Sequence, residues 1–562
     1  MKAKELTHLS IWDMYEMSHT FNQSIGLYET VRTNENYFIG KQWENVQANG
    51  LPTPVFNFLK RVTLFQVATI TSDNMKIQAS PLPSTSSFSQ KEIERITEII
   101  NHQFDSIFER NRIVTKTREF MRNAAVDGDG CMYFYFDPDV ENGQPVKGEI
   151  QAEVIENTRV HFGNPNCRDV QKQPWIIISR RMLLDEVRDM AEENGVKETA
   201  AITPDTEIYE NQYDSYTSDK VTVLTYFYRN KKTGTIWCCE STRNVMIRKP
   251  YDTDYQLYPL VWLNWDYIQD CYHGQALITG LIPNQNFVNK IFALTGVSLM
   301  TSAFPRIIYD KNRIPRWSGE VGAAIGVPGN VEGVAKILDP APISPQVSQF
   351  METCVDYTQS FLGASDVAMG DSRPDNTSAI IALQRAANTP MELTKQNMYQ
   401  ALEDMGRIFI DMMAVRYGTR IVETSLSMAQ PGAQPLGMSL PKQAFTQPFS
   451  FQSLRKFPVS IKLDVGASSY WSEIASMQTL DNLLLNKQIT LLQYLERVPQ
   501  GYVSKKQELM DELRGIATGN AGNVGSAGGA KPTTPPNPDD IPVEGGPGNS
   551  ALARALNQTG VV

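Results

Sequence analysis

Residues 281–310 read "LIPNQNFVNKIFALTGVSLMTSAFPRIIYD", and the apolar pattern changes within them. Pro283 suits the first turn of a helix, where its missing amide hydrogen has no partner to lose. Phe287, Ile291, Leu294 and Val297 then recur at helical spacing and Pro305 ends the run, which predicts one helix over about residues 283–302. From Phe304 to Ser344 the chain turns short, strand-like and glycine-rich, with "PRIIYD" and then "GAAIGVPGNVEGVAKIL", a compact insert. A second helix is expected over 345–362, "PQVSQFMETCVDYTQSFL", followed by the polar loop "GASDVAMGDSRPDNT" at 363–377. Fifteen loop residues between two helices are uncommon in compact domains and are often functional. From Ser378 a long helical pattern runs to about Val415 through Ile381, Leu383, Leu393, Met398, Leu402, Met405, Phe409 and Met412, and Pro390 inside it predicts a kink.

Upstream, "SQKE" at 89–92 is a capping box, and Ile93, Ile96, Ile100, Phe104 and Ile107 follow it, predicting one helix from Ser89 to Arg122 that stops near "VDGDG". The run "CMYFYFD" at 131–137 is rich in strand formers, and "ENGQP" supplies a hairpin turn at Asn142 and Gly143. Further strands are expected at 175–179, 221–228 and 236–239, with an amphipathic helix in "RRMLLDEVRDMAEENG" stopped by Gly195. Near the other end "VSIKLDV" at 459–465 alternates as a half-buried strand, and helices follow in "WSEIASMQTLDNLLL" and "SKKQELMDELRG". From about Ile516 the Gly, Pro, Asn and Ala content predicts disorder. The stretch "YFIGKQW" at 37–43 joins a polar, helical segment to Pro52, Pro54 and a new apolar run, and carries nothing that looks catalytic.

With 562 residues, 41% hydrophobic and 20% charged, the chain can bury a large core divided among several subdomains. A net charge of −10 disfavours a general electrostatic clamp on nucleic acid, which needs clustered Lys and Arg. Cys131, Cys167, Cys238, Cys239, Cys271 and Cys354 form neither a disulfide framework nor a C-x-x-C metal set, so they read as reduced thiols of a chain that matures in a cytoplasm. Five histidines, none at i, i+4 from another, leave little for a zinc site. The first residues have no apolar signal core and no run approaches a membrane span, so neither secretion nor membrane insertion is expected.

"DGDG", with Asp127 and Asp129, opens like a calcium loop, but the twelfth position is Pro138 where a bidentate Glu is required, so it reads as a turn. "GVPGNVEG" lacks the G-K-[ST] of a phosphate loop, and neither a G-x-S-x-G elbow nor an H-E-x-x-H pair is present. No catalytic residue, cofactor or metal is predicted.

Four phrases carry a resemblance: "YFIGKQW", "AAVDGDGCMYFYFD", "YPLVWLNWDYIQDCYHGQALITGLIPNQNFVNKIFA" and "NTSAIIALQRAANTPMELTKQNMYQAL". In this order over about residues 25–470, with the helix, insert, helix, loop and kinked helix between them, the chain resembles the portal (head-to-tail connector) proteins of tailed double-stranded DNA bacteriophages. The resemblance implies an α+β, multi-subdomain fold that forms a ring. Residues 1–270 would be the N-terminal part of a wing, 271–302 a first stem helix, 303–344 a clip and 345–362 a second stem helix. Residues 363–377 would be a tunnel loop, 378–470 the kinked helix with the rest of the wing, 471–515 a small crown and 516–562 a disordered tail.

It further implies a homododecamer at one capsid vertex that nucleates procapsid assembly and passes double-stranded DNA during packaging and ejection. Its partners would be the terminase large subunit, the major capsid and scaffolding proteins and then head-tail adaptor or neck proteins, in a virion assembled in the host cytoplasm. The channel candidates are Arg306, Lys311, Arg313 and Arg316 in the clip, offset by Asp310 and Glu320, and Met369, Asp371, Ser372, Arg373, Asp375 and Asn376 in the tunnel loop. The competing readings are another virion ring such as a head-tail adaptor, usually a much shorter chain, and a metal-dependent nucleic-acid-processing enzyme using Asp127, Asp129 or Asp371.

Overall fold

The computed structural model describes residues 6–44, 46–47, 52–72, 75–81, 90–205, 219–303, 306–316, 326–338, 349, 352–357, 389–426, 443–457, 459–465, 480–486, 488–498 and 509–510. They fall into two compact units, residues 1–71 with 76–464 and residues 72–75 with 465–562.

The larger unit opens with α1 (His8–Ser24), whose Thr7 and Ser10 side chains and backbones cap each other reciprocally. α2 (Leu27–Ile39) ends at Gly40, where φ is 95°, so the glycine of "YFIGKQW" is the left-handed residue that closes a helix. Asn57 then caps α3 (Phe58–Ile70), and β1 (Met75–Pro81) follows.

The single helix expected over Ser89–Arg122 is in fact two, α4 (Gln90–Asn111) and α5 (Ile113–Asp127), separated by Arg112 at φ 52°. Asn111 fixes the break. Its Nδ2 donates to the Ile150 carbonyl at 2.8 Å and its Oδ1 accepts from the Ala152 amide at 2.9 Å, so the side chain pairs like a short strand with the edge of β3 (Glu149–Ile155).

β2 (Asp129–Asp137) and β3 form the expected hairpin, with Gly143 at φ 70° in its turn. A second sheet, antiparallel throughout, takes β4 (Val160–Phe162), β5 (Trp175–Leu183), β6 (Lys220–Arg229), β7 (Ile236–Ser241) and β8 (Met246–Tyr255) in that order. The helix expected from Arg180 begins only at Leu184, as α6 (Leu184–Glu193), because Arg180–Leu183 pair with Val223–Lys220 and prolong β5. β9 (Leu260–Asn264) pairs with β2 from the other side, and the short β10 (Asp266–Tyr267) and β11 (Gly274–Gln275) pair with each other.

α7 (Leu277–Ala303) starts six residues before the expected position, which leaves Pro283 inside the helix. The tertiary environment explains this: Ile278 and Leu281 are buried with Phe38, Leu59 and Val126, and that burial offsets the one helical hydrogen bond the proline removes. Along the next turns the buried face of α7 carries amides beside Val288 and Ala293. Gln285 Nε2 donates to the Phe56 carbonyl at 2.7 Å and to Asn289 Oδ1 at 2.9 Å, Asn289 Nδ2 donates to Gln42 Oε1 at 2.6 Å, and the Tyr37 hydroxyl donates to Asn286 Oδ1 at 2.7 Å. The aromatic and amide residues of "YFIGKQW" therefore dock the α2–α3 connection onto α7.

The insert contains β12 (Arg306–Tyr309) and β13 (Ala335–Leu338) as an antiparallel pair. Of the helix expected over 345–362, the described residues 349 and 352–357 are helical. Pro390 sits in a 3-10 turn (Thr389–Met391) that leads into α8 (Glu392–Arg416), while the residues that would precede a kink, 378–388, lie outside the described residues.

α8 buries Met398, Leu402, Met405, Phe409 and Met412, and Phe409 meets Phe134 edge-on at 5.1 Å. Gly406 removes the side chain that would collide with Ile77 of β1 and Ile461 of β16 (Val459–Val465), so that two-stranded sheet can lie close against the helix. After α8, β14 (Thr419–Leu426) and β15 (Gln443–Ser450) form a further hairpin. The helical end is tied to the first sheet through Glu149, which accepts from Arg110 at 2.8 Å, Asn142 at 2.8 Å, Tyr417 at 2.9 Å and Arg420 at 3.1 Å.

In the smaller unit, α9 (Leu491–Arg497) is capped by Thr490 and Gln493, and Tyr494, Leu495 and Val498 pack with Leu484 and Met510. α9 was not expected from the sequence. The residues expected to be a disordered tail, 516–562, lie outside the described residues.

Candidate functional site

The insert hairpin pairs Arg306 with Leu338, Ile307 with Ile337, Ile308 with Lys336 and Tyr309 with Ala335. Past Tyr309 the chain turns sharply at Asp310. Its Oδ1 accepts from the Asn312 amide at 2.9 Å, its carbonyl accepts from the Ile314 amide at 2.9 Å, and its own amide donates to the Val334 carbonyl at 2.8 Å. Ile314 and Val334 are buried and anchor this turn, while Lys311, Arg313 and Arg316 are exposed. Arg313 Nε stands 3.7 Å from Asp310 Oδ2, a solvated pair of small energetic weight.

Three of the four cations predicted in the insert are thus surface charges around one turn, and the backbone of the fourth, Arg306, opens β12. The strand pairing adds Lys336, exposed and opposite Ile308, which the sequence reading passed over because it sits in an otherwise apolar run. Its only sequence signal is a single lysine within the apolar run "VAKIL". Glu320, and the six loop candidates Met369, Asp371, Ser372, Arg373, Asp375 and Asn376, lie outside the described residues.

"DGDG" forms a buried polar junction. Asp129 is wholly buried, and its Oδ1 accepts from Asn264 Nδ2 and the Gly274 amide, each at 2.7 Å. Its Oδ2 stands 2.7 Å from His273 Nδ1 and accepts from Asn157 Nδ2 at 3.2 Å. Both carboxylate oxygens are therefore taken by protein donors, the arrangement of a structural hub rather than of an open cation loop. Asp127 is buried beside it, and burial together with the nearby Glu35 carboxylate raises its pKa well above the ordinary carboxylate range. Among the described residues no cluster of three or more His, Cys, Asp or Glu could hold a metal ion. A groove of about 870 Å³ lies between β9 and α8, walled by Trp262, Asn264, Asn397, Gln400 and Asp404.

Residues 23–422 match the profile of a protein family described as Phage P22-like portal protein, well over half of the chain. The chain belongs to that family. It is a phage portal protein, and portal proteins are structural, non-enzymatic components of the virion. No curated protein matches the chain. The match runs from the last residues of α1 to the first half of β14 and so covers residues 303–344, residues 363–377 and α8. Among the described residues, no helix is long and apolar enough to cross a membrane.

Proposed function

We propose that this portal protein closes into a homododecameric ring at one capsid vertex and forms the conduit through which double-stranded DNA enters and leaves. In this reading residues 1–270 and 378–470 make the wing with its kinked long helix, residues 271–302 and 345–362 make the stem helices, and residues 303–344 make the clip. The loop over 363–377 is the tunnel loop, residues 471–515 are the crown and residues 516–562 the tail. The clip docks the terminase large subunit during packaging and adaptor or neck proteins afterwards, and the ring, assembled in the host cytoplasm with major capsid and scaffolding proteins, nucleates the procapsid. ATP hydrolysis belongs to the terminase.

The observation that supports this is the family match combined with a hairpin, two residues after α7 in the sequence, that carries exposed Lys311, Arg313 and Arg316 beyond its first strand. A ring of helix axes about 40 Å across, chosen to leave a duplex-sized hole, would hold about twelve helices with neighbours about 10 Å apart. Light contact rather than a grip also fits the net charge of −10, because a cation facing the lumen is repeated in every subunit and counterion release would otherwise hold moving DNA fast.

Cryo-electron microscopy of the purified protein, viewed down the ring axis, tests the proposal. Twelve chains of 63.1 kDa give a particle of about 760 kDa with a central channel. A monomer or dimer without a channel at high protein concentration would refute the ring.

A further inference from the structure

Three of the five histidines meet beneath α1. The first turns of that helix lay Ile11, Trp12 and Tyr15 on Ile177, Leu224, Tyr226 and Cys239 of the second sheet, an apolar contact. One turn later the contact becomes polar. Ser18 Oγ is 3.2 Å from His161 Nδ1 on β4, Tyr15 presents its ring to the His161 imidazole at 4.9 Å and 83°, and His19 stacks on Tyr28 of α2 at 4.8 Å. Asn22 closes the cluster, its Oδ1 accepting from the Tyr272 hydroxyl at 3.0 Å and standing 3.2 Å from His273 Nε2. The Nε2 atoms of His161 and His19 are buried and make no hydrogen bond.

We propose that His161 and His19 are an acid-sensitive latch on α1: charging these imidazoles detaches the helix from the sheet while the remainder of the unit stays folded. A second proton on either imidazole makes both ring nitrogens N–H donors and adds a positive charge, while the buried Nε2 has no hydrogen bond to hold it. The one buried carboxylate of the cluster, Asp129, is reached only through His273, and both its oxygens are already occupied.

The other groups facing the site give no relief. Glu16, on the outer flank of α1, favours a charged His19 but accepts from Trp12 Nε1 at 2.7 Å. Arg243 lies over Trp12 and is itself cationic, and β5 offers only Ile177 opposite His161. The phenols of Tyr226 and Tyr272 are raised by burial and the Cys239 thiol is pushed up to about 12, so none of them ionises near neutrality.

Burial, with His19 and His273 nearby, lowers His161 to about 3, and burial lowers His19 as well. A histidine depressed in the latched state and ordinary once released holds α1 fully above pH of about 6.5, and the hold is lost as pH falls toward the latched value. From pH 7 to pH 5, linkage at His161 alone multiplies the released population about 25-fold.

Hydrogen exchange read by mass spectrometry on the full-length protein at pH 7, 6 and 5, with labelling times scaled for intrinsic chemistry, tests this. Opening of peptides over residues 8–24 should rise about 25-fold or more relative to peptides over 221–228. His161→Asn, which keeps an amide for Ser18 but cannot become charged, should remove most of that rise, and His19→Gln is the second variant. Peptides of α1 that track those of β6 across the pH series would overturn the latch without recourse to any variant. An undiminished rise in a folded His161→Asn protein would overturn it as well.

Discussion

Gly128 and Gly130 flank Asp129 because the backbone leaves them no room for a side chain. Gly128 has φ 103°, and a Cβ there would sit 2.7 Å from the Gly274 carbonyl oxygen. A Cβ on Gly130 would lie 2.7 Å from the Phe120 carbonyl oxygen and 3.0 Å from its ring. These close approaches let α5 fold back over β2 and bring the β10–β11 turn within reach of the Asp129 carboxylate. Gly130→Ala should therefore lower stability by about 2–3 kcal/mol through overpacking, seen as a reduced urea midpoint at unchanged slope. A midpoint within error of the wild type would mean that the helix and strand can separate at no cost. The "DGDG" spacing is local and reads as a turn in the sequence, whereas in the structure it is the junction where α5 ends at Asp127 and β2 begins at Asp129. The partners of Asp129 were not legible, since Asn157, Asn264 and His273 lie far along the chain and nothing local marks which amide or imidazole the fold returns to one carboxylate.

At the scale of elements, periodicity was informative wherever burial is one-sided and local. The strands at β2, β5, β6, β7 and β16 are where alternation or β-branched runs place them, because each buries its face against a neighbour. It failed where a tertiary contact overrides local preference. Ile107 and Ile113 are both buried, so the apolar pattern runs straight through Arg112, and only the distant edge of β3, claimed by Asn111, reveals the break. The left-handed backbone of Arg112 is a strain that glycine would not feel. Arg112→Gly should stabilise the protein by about 0.5–1 kcal/mol, the relief of strain exceeding the entropy of a freer unfolded chain. Chemical denaturation checks the sign, and destabilisation would show that the Arg112 side chain contributes more than its backbone costs. α7 displays the same override in reverse, since burial of Ile278 and Leu281 extends a helix across a proline that by local rules should begin it.

For the molecule as a whole, the order of helix and hairpin was legible among the described residues, while the proposed ring rests on the family resemblance alone, because subunit contacts leave no periodicity within one chain. Repetition is what gives the insert cations their weight. A single exposed Lys311 or Arg316 beside DNA contributes little, but in a twelvefold ring each would present about twelve charges to the duplex, and each phosphate neutralised steepens the salt dependence of binding. Lys311, Arg316 and Lys336 are exposed, and their replacement by serine should leave thermal stability within about 0.5 kcal/mol of the wild type, with particle mass unchanged. DNA packaging into capsids carrying the triple variant should then depend less steeply on salt than packaging through the wild-type portal. Identical salt profiles with an intact ring would place these three cations away from the moving duplex and leave Arg306, Arg313 and the tunnel loop as the channel's points of contact. A ring that fails to form would instead assign the three cations to the subunit interface, where a charge opposite a neighbour's carboxylate matters for assembly and not for transport.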